Sequence, residues 1–316
     1  MNSHVFNALA PVIVFIGLGF AVARIGWVRA SAVKDLSNLV FMVLTPALLF
    51  RTMSTVQVQS LDFAPVGVYF LSAGLIFAAT LLVQGFGTLG AARGLAHTFG
   101  NTIMIGVPLV GLAFGEVGLV TLFTLISVHA LILLTSATVV FELATARSHA
   151  RSGATQRALW RTVAQALRSG ILHPVPLPIL LGLAFAQTGL VVPTVLDKPL
   201  LLLGQALGPM ALLLVGVTLA YSTIGAYFKA ALRIAFVKNL VFPAVVAALG
   251  WALGLRGLPL AVMVVTASLP VGANVFLFAH RYEVAQDEVT ASVALSTALA
   301  LLTLPVVLLA VARWLV

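Results

Sequence analysis

Long apolar runs alternate along this chain with short clusters of charged residues, Gly and Pro. A membrane-crossing helix requires about 20 apolar residues. Measured that way, the runs predict spans at 5–23, 34–54, 64–90, 97–115, 117–142, 171–190, 199–222, 229–254, 258–280 and 287–313. Two of the ten are interrupted. "GNTIMIGVPL" places Asn101, Thr102, Gly106 and Pro108 inside the fourth span, and "ASLPVGANVF" places Ser268, Pro270, Gly272 and Asn274 inside the ninth. In lipid each unsatisfied backbone polar group costs several kcal/mol, so irregular backbone at that depth survives only against protein or a water-filled cavity. Proline removes a helical hydrogen bond. The half-helices that restart near Pro108 and near Val271 would therefore aim open N–H groups and positive dipole ends at the membrane centre. Two such ends converging make a site for an anion, to which the Asn and Thr side chains add neutral donors.

The second half of the sequence echoes the first. "GLGFA" at 17–21 resembles "GLAFA" at 182–186, "GEVG" after the fourth span stands over "YEVA" after the ninth with Glu116 over Glu283, and Asn38 stands over Gln205. These collinear matches divide the chain into five-helix repeats at 1–142 and 171–316, joined by a basic connection at 143–170. Five is odd, so the second repeat enters from the opposite side and the repeat is inverted. The expected fold class is an all-α membrane protein of ten helices, with broken helices 4 and 9 crossing. Secondary transporters are commonly built this way, with the binding site at the midplane.

Composition fits the bilayer reading. Hydrophobic residues make up 61% of 316 and charged residues 8%, where a soluble domain carries about 25% charge. There is no cysteine, so no disulfide or thiolate metal site is available. The net charge of +9 reflects orientation rather than nucleic acid. Thirteen of the 17 Lys and Arg fall in connections 1–2, 3–4, 5–6, 7–8 and 9–10, which puts those on the cytoplasmic side and both termini outside. The first apolar run lacks the cationic start and small-residue cleavage site of a signal peptide.

Ionisable groups at membrane depth are functional candidates. His129 lies in the middle of the fifth span, where an ordinary pKa near 6.5 suits proton exchange; its alternative is a bond to a nearby carbonyl. Lys238 lies about ten residues into the eighth span. It could hold a substrate carboxylate or report conformation, or it could snorkel to the surface as Lys229 and Arg233 can. Arg51 reads as an interfacial anchor or an attractor of anions. Asn38, Thr45 and Pro46, with Gln205 and Pro209, are expected to line the scaffold side of the cavity. Thr121, Thr124 and Ser127 could ligate sodium or bond back to their own helix. Neither break contains a carboxylate, and a hard cation prefers several oxygens including charged ones, which disfavours sodium. No cofactor and no metal site is expected. "GFGTLG" at 85–90 follows no strand and is not a nucleotide loop, and the GxxxG spacings at 111–115, 204–208 and 250–254 read as helix-packing surfaces.

Taken in series, "GNTIMIGVPL…FGE", "KNLVFPAVVAALGWALGLRG", "ASLPVGANVFLFAHRYEV" and "LSTALALLTLPVV", with the early "NLVFMVLTPALLFRTM", resemble the auxin efflux carrier family over essentially the whole chain. That family includes plant auxin exporters and bacterial permeases such as malonate carriers. The resemblance implies a scaffold of helices 1, 2, 6 and 7, a transport domain of helices 3–5 and 8–10, and elevator-like movement. It also suggests a homodimer joined through the scaffold. The family's asparagine in the first break falls on Asn101, its glycine and proline on Gly106 and Pro108, and the proline of the second break on Pro270. Plant members continue with a glutamine and a further proline where this chain has Val271, Asn274 and Val275, a departure that speaks against auxin as the ligand. The expected function is a permease in the cell membrane for a small organic anion, a carboxylate such as malonate. The alternative within transport is a sodium symporter of the bile-acid type. An intramembrane enzyme lacks paired acids, an HExxH motif or a nucleophile for His129, a receptor lacks a signalling domain, and a channel needs no inverted pair of breaks.

Overall fold

A computed structural model describes residues 2–150, 175–222 and 225–314. Among them the chain is all helix, with no strand beyond one isolated bridge. The elements are α1 (Asn2–Arg24), α2 (Ala32–Met53), α3 (Ala64–Gln84), α4 (Thr88–Thr98) and α5, a π-turn Thr102–Gly106 that runs into Val107–Ala150. After them come α6 (Pro176–Ala186), α7 (Thr194–Tyr221), α8 (Gly225–Ala252), α9 (Gly257–Ala267), α10 (Asn274–Arg281) and α11 (Gln286–Trp314). Six of these, α2, α3, α5, α7, α8 and α11, are long and apolar enough to cross a bilayer, while α6, α9 and the Leu9–Arg24 part of α1 are shorter apolar helices.

Prolines set the local geometry of three of the long helices. A five-residue π-turn precedes Pro46, Pro108 and Pro243 at the same spacing: Val40–Leu44, Thr102–Gly106 and Val237–Val241. Proline offers no N–H and its ring crowds the carbonyl four residues back. In each case the residue before the proline reaches back five residues, Thr45 to Val40, Val107 to Thr102 and Phe242 to Val237. The wider turn accommodates the ring without breaking the helix.

Several predicted boundaries move. The third span ends at Gln84, because Gly85 (φ 87) terminates α3 and Gly87 opens α4. The fourth therefore begins at Thr88, not His97. Hydropathy does not dip there, since the connection is itself built of Gly, Phe and Leu. The gap between the fourth and fifth predicted spans is a one-residue bend at Gly115 (φ 64, ψ −158) inside α5. Residues 143–150 of the predicted basic connection continue α5, and the rest of it lies outside the described residues, as does the start of the sixth predicted span.

Two sets of helices pack internally. α1 lies along α7, and α2 packs on α6 and α7. A Cβ at Gly19 would fall 2.0 Å from the Leu213 carbonyl oxygen, and one at Gly216 would fall 2.0 Å from that of Ile16, so this crossing brings backbone against backbone. Arg51 on α2 donates from Nε and a terminal nitrogen to both Asp197 oxygens on α7, at 2.7 and 3.1 Å. It therefore ties α2 to α7. The other set places α3 against α4, α8 against α11 and α3, and α9 against α8, α5 and α11. There Arg93 on α4 forks onto Glu288 on α11 at 2.8 and 2.9 Å, with Glu288 buried. Large, fully buried side chains of this set include Tyr69 of α3, Phe123 and Phe141 of α5, and Lys238 and Phe242 of α8.

Candidate functional site

α4 and α9 each stop short, and the chain beyond each stop turns back toward the other. Phe99, Gly100 and Asn101 separate α4 from α5, and Ser268 to Ala273 separate α9 from α10. The two irregular stretches pair. The Asn101 amide donates to the Pro270 carbonyl at 2.8 Å and the Gly272 amide donates to the Phe99 carbonyl at 2.9 Å, closing an antiparallel bridge between Gly100 and Val271. Ser296 of α11 takes the Val271 amide on its hydroxyl at 3.0 Å. Each break thus answers the backbone demand of the other. Glycine is required at the crossing, because a Cβ at Gly272 would meet the Phe99 ring at 2.8 Å and the Gly100 carbonyl oxygen at 2.9 Å.

The half-helices restart in different ways. α5 begins at Thr102, six residues before the predicted Pro108, and Asn101 is its N-cap: the side-chain oxygen accepts the Met104 amide at 3.2 Å. Asparagine is among the best residues for this task. Capping consumes the amide oxygen and leaves the Asn101 Nδ2 group as a donor. α10 begins at Asn274, three residues after the predicted Val271, with Ala273 as N-cap and no side-chain cap. The Val275 and Phe276 amides of its first turn donate to the Gly272 and Ala273 carbonyls at 3.1 and 3.0 Å.

A cavity of about 90 Å³ lies where the restarts converge. Gly100, Asn101, Thr102 and Met104 wall it from the first break, Gly272, Ala273 and Asn274 from the second, His129 from α5 and Phe41 from α2. A water needs roughly 10–15 Å³ by this kind of measure, so several waters or one small polar molecule fill it. His129 is buried, its Nε2 stands 3.3 Å from the Tyr69 hydroxyl, and its ring packs 4.8 Å from that of Phe99.

Lys238 stands behind the crossing. Its side chain is fully buried, and Nζ donates to the carbonyls of Ala267 and Leu269, both at 2.6 Å. The Phe242 ring covers it at 5.2 Å. The snorkelling reading is thereby overturned: Nζ is held by the carbonyl end of α9 instead of reaching for solvent. A Cβ on Gly100 would lie 3.3 Å from Nζ, so only the thin glycine backbone separates this charge from the cavity.

Of the predicted site residues, the cavity gathers Asn101, Thr102, Gly272, Asn274 and His129. Pro270 and Ser268 serve the crossing, where Pro270 supplies a carbonyl and buried Ser268 bonds back to Val265 at 2.7 Å. Gly106 lets Leu269 in, with a Cβ there only 2.7 Å from the Leu269 side chain, and Pro108 packs near Gly208 of α7. The expected scaffold lining is not assembled. Asn38 and Gln205 are exposed away from the cavity, and Thr45 is buried with its hydroxyl unpartnered. Phe41, three residues beyond Asn38 on the same face of α2, lines the cavity in their place. Thr121, Thr124 and Ser127 donate to carbonyls of their own helix at 3.3, 2.8 and 2.7 Å, and none lines the cavity. Sequence reading missed Phe99, Gly100 and Ala273; their adjacency to Asn101 and Asn274 was the available signal.

The family described as membrane transport protein matches residues 4–308. The chain is 29% identical over 309 residues to the "Putative malonate transporter" of Rhizobium meliloti (strain 1021), covering 95% of this chain and 94% of that one. It is 25% identical over 308 residues to an "Uncharacterized transporter" of Methanothermobacter thermautotrophicus (strain Delta H), with 95% and 96% covered. The chain is a membrane transporter and not an enzyme, and it belongs to the auxin efflux carrier family of membrane transport proteins.

Proposed function

We propose that this protein is a secondary carrier of a small organic anion, a carboxylate such as malonate, which binds in the cavity at the crossing of the two breaks. The observation that carries the reading is the donor set there. Asn101, whose Nδ2 is left free by capping, Thr102 and Asn274 at the start of α10 line one cavity, with Lys238 Nζ behind Gly100. Neutral donors and half-helix dipoles hold an anion without an exposed fixed charge that would trap it. The cavity is smaller than the roughly 300 Å³ at which drug-sized pockets begin, which favours a substrate of a few carbons. The name of the Rhizobium relative points to the same class.

In this reading α1, α2, α6 and α7 form the scaffold, and the set built from α3, α4, α5, α8, α9, α10 and α11 carries the site past it as an elevator. The two breaks belong to inverted repeats of five helices, both termini lie outside, and the basic stretch between α5 and α6 is cytoplasmic. A second copy docks through the scaffold. Lys238 fills by covalent attachment the role a sodium ion would play against the α9 carbonyls, and the span-five hydroxyls are committed to their own helix. Both facts favour sodium-independent transport over bile-acid-type symport, with His129 as the group for proton linkage.

Asn101→Asp tests the assignment. Aspartate keeps the capping oxygen for Met104 but replaces the free donor with negative charge. The variant is expected to melt close to wild type in detergent and to lose stabilisation by millimolar malonate, measured by thermal shift across a panel of small carboxylates. Stabilisation by the same carboxylate, undiminished in the variant, would remove Asn101 from the site.

A further inference from the structure

A second and larger cavity, of about 340 Å³, opens between α3, α4, α8 and α11, away from the crossing. One wall is aliphatic: Ile76, Ala79 and Val83 of α3 face Ile234, Val237 and Val241 of α8. The floor is polar and already satisfied. Arg93 is forked onto Glu288 and also donates to the Gln84 side chain, and His97 Nδ1 pairs with the Thr80 hydroxyl at 2.9 Å. The rim carries Arg233, which is exposed and has no ion pair or hydrogen bond among the described residues. Lys229, also exposed, stands one helical turn before it on α8.

The surroundings say what the mouth faces. Leu82 and Val83 are 86% and 81% exposed, and Leu232 and Phe236 flank Arg233 at 40% and 57%. An apolar surface of this kind on a membrane protein faces acyl chains, not water. A slot with an aliphatic wall, a mouth on the lipid face and unpaired cations at one end matches an amphiphile with an anionic head.

We propose that this cavity is a binding site for an anionic phospholipid. An acyl chain lies along the α3–α8 wall and the phosphate meets Arg233 and Lys229. The charge arithmetic supports a lipid of this sign. Glu288 is neutralised by Arg93, so the cation left over at the rim is Arg233, reinforced by Lys229 on the next turn. A zwitterionic lipid would bring a choline into the same basic rim and is disfavoured. The site lies on helices of the carrier set, so its occupancy would bear on that set's movement. The proposal itself concerns binding and stands or falls separately from the identity of the transported anion.

The test uses the whole protein in nanodiscs of phosphatidylcholine with one fifth phosphatidylglycerol. After extraction, native mass spectrometry counts the lipids retained on the protein. Wild type is expected to retain phosphatidylglycerol in preference to phosphatidylcholine. Each surface cation is worth about a fivefold change in affinity for anionic lipid, so Arg233→Gln should weaken the preference by about that factor and Arg233→Gln with Lys229→Gln further still. Making the aliphatic wall polar by Val83→Thr, which keeps both cations, should weaken retention of either lipid without changing the preference. Equal retention of the two lipids by wild type would overturn the proposal, as would a preference unchanged in the double variant. Binding of malonate to this site, seen as displacement of phosphatidylglycerol, would overturn it in favour of a second substrate site.

Discussion

Replacing Lys238 with Met should abolish transport and lower the stability of the protein by about 2 kcal/mol. The ammonium donates at once to the carbonyls of Ala267 and Leu269 inside a fully buried site. Methionine has similar length but no donor, so both acceptors are left unpaired at membrane depth. An orphaned buried acceptor costs about 1–3 kcal/mol, so losing two costs about 2–6 kcal/mol. Removing a desolvated charge relieves part of the loss, which is why the net is set lower. Transport suffers more than stability, because the same change withdraws the positive charge behind Gly100. Lys238→Arg separates the two roles. It keeps a cationic donor for the two carbonyls and is expected to melt closer to wild type than the Met variant does. Thermal unfolding in detergent, read by size-exclusion fluorescence, measures the first effect and vesicle uptake the second. A Met variant that melts and transports like wild type would show that the ammonium does not hold the break together.

The largest effect on folding alone is expected at Gly216. A Cβ there would sit 2.0 Å from the Ile16 carbonyl oxygen and 2.7 Å from the Phe20 amide, both main-chain atoms of α1 that no rotamer can move aside. Overpacking a tight contact typically costs about 1–3 kcal/mol, and a clash between two helix backbones belongs at the upper end. Gly208 on the same helix is the control. Its Cβ would find only Pro108 at 3.8 Å, an ordinary contact. Gly216→Ala should therefore lower the apparent melting temperature sharply, whereas Gly208→Ala should stay within about 0.5 kcal/mol of wild type. Equal melting of the two variants would mean that α1 and α7 are not as close as described.

The membrane class and the two interruptions were legible in the sequence because polar residues inside an apolar run stand out. Asn101, Thr102, Gly272, Asn274 and His129 were found that way, and all five line one cavity. Side-chain identity could not show what backbone does. The partners of Lys238 are carbonyls of Ala267 and Leu269, groups every residue carries, so no pattern marks them. The true starts of the half-helices were hidden for a related reason: proline draws the eye to Pro108, whereas the helix begins at the residue that can cap it, Asn101. Long-range pairs left no trace either. The ties of Arg51 and Arg93 could not be seen, because Asp197 and Glu288 lie 146 and 195 residues away. Asn38 and Gln205 are exposed and do not line this cavity. The contact from α2 is Phe41, an apolar residue that no polarity argument would select.

The most direct test of the central claim is uptake of labelled malonate by purified protein in sodium-free liposomes, comparing wild type with Asn101→Asp and including a panel of other small carboxylates. The account predicts that wild type takes up a small carboxylate without sodium, that the same substrate is not taken up by the Asp variant, and that an imposed proton gradient raises the wild-type rate. Uptake that begins only when sodium is added, or uptake by Asn101→Asp equal to wild type, would contradict it.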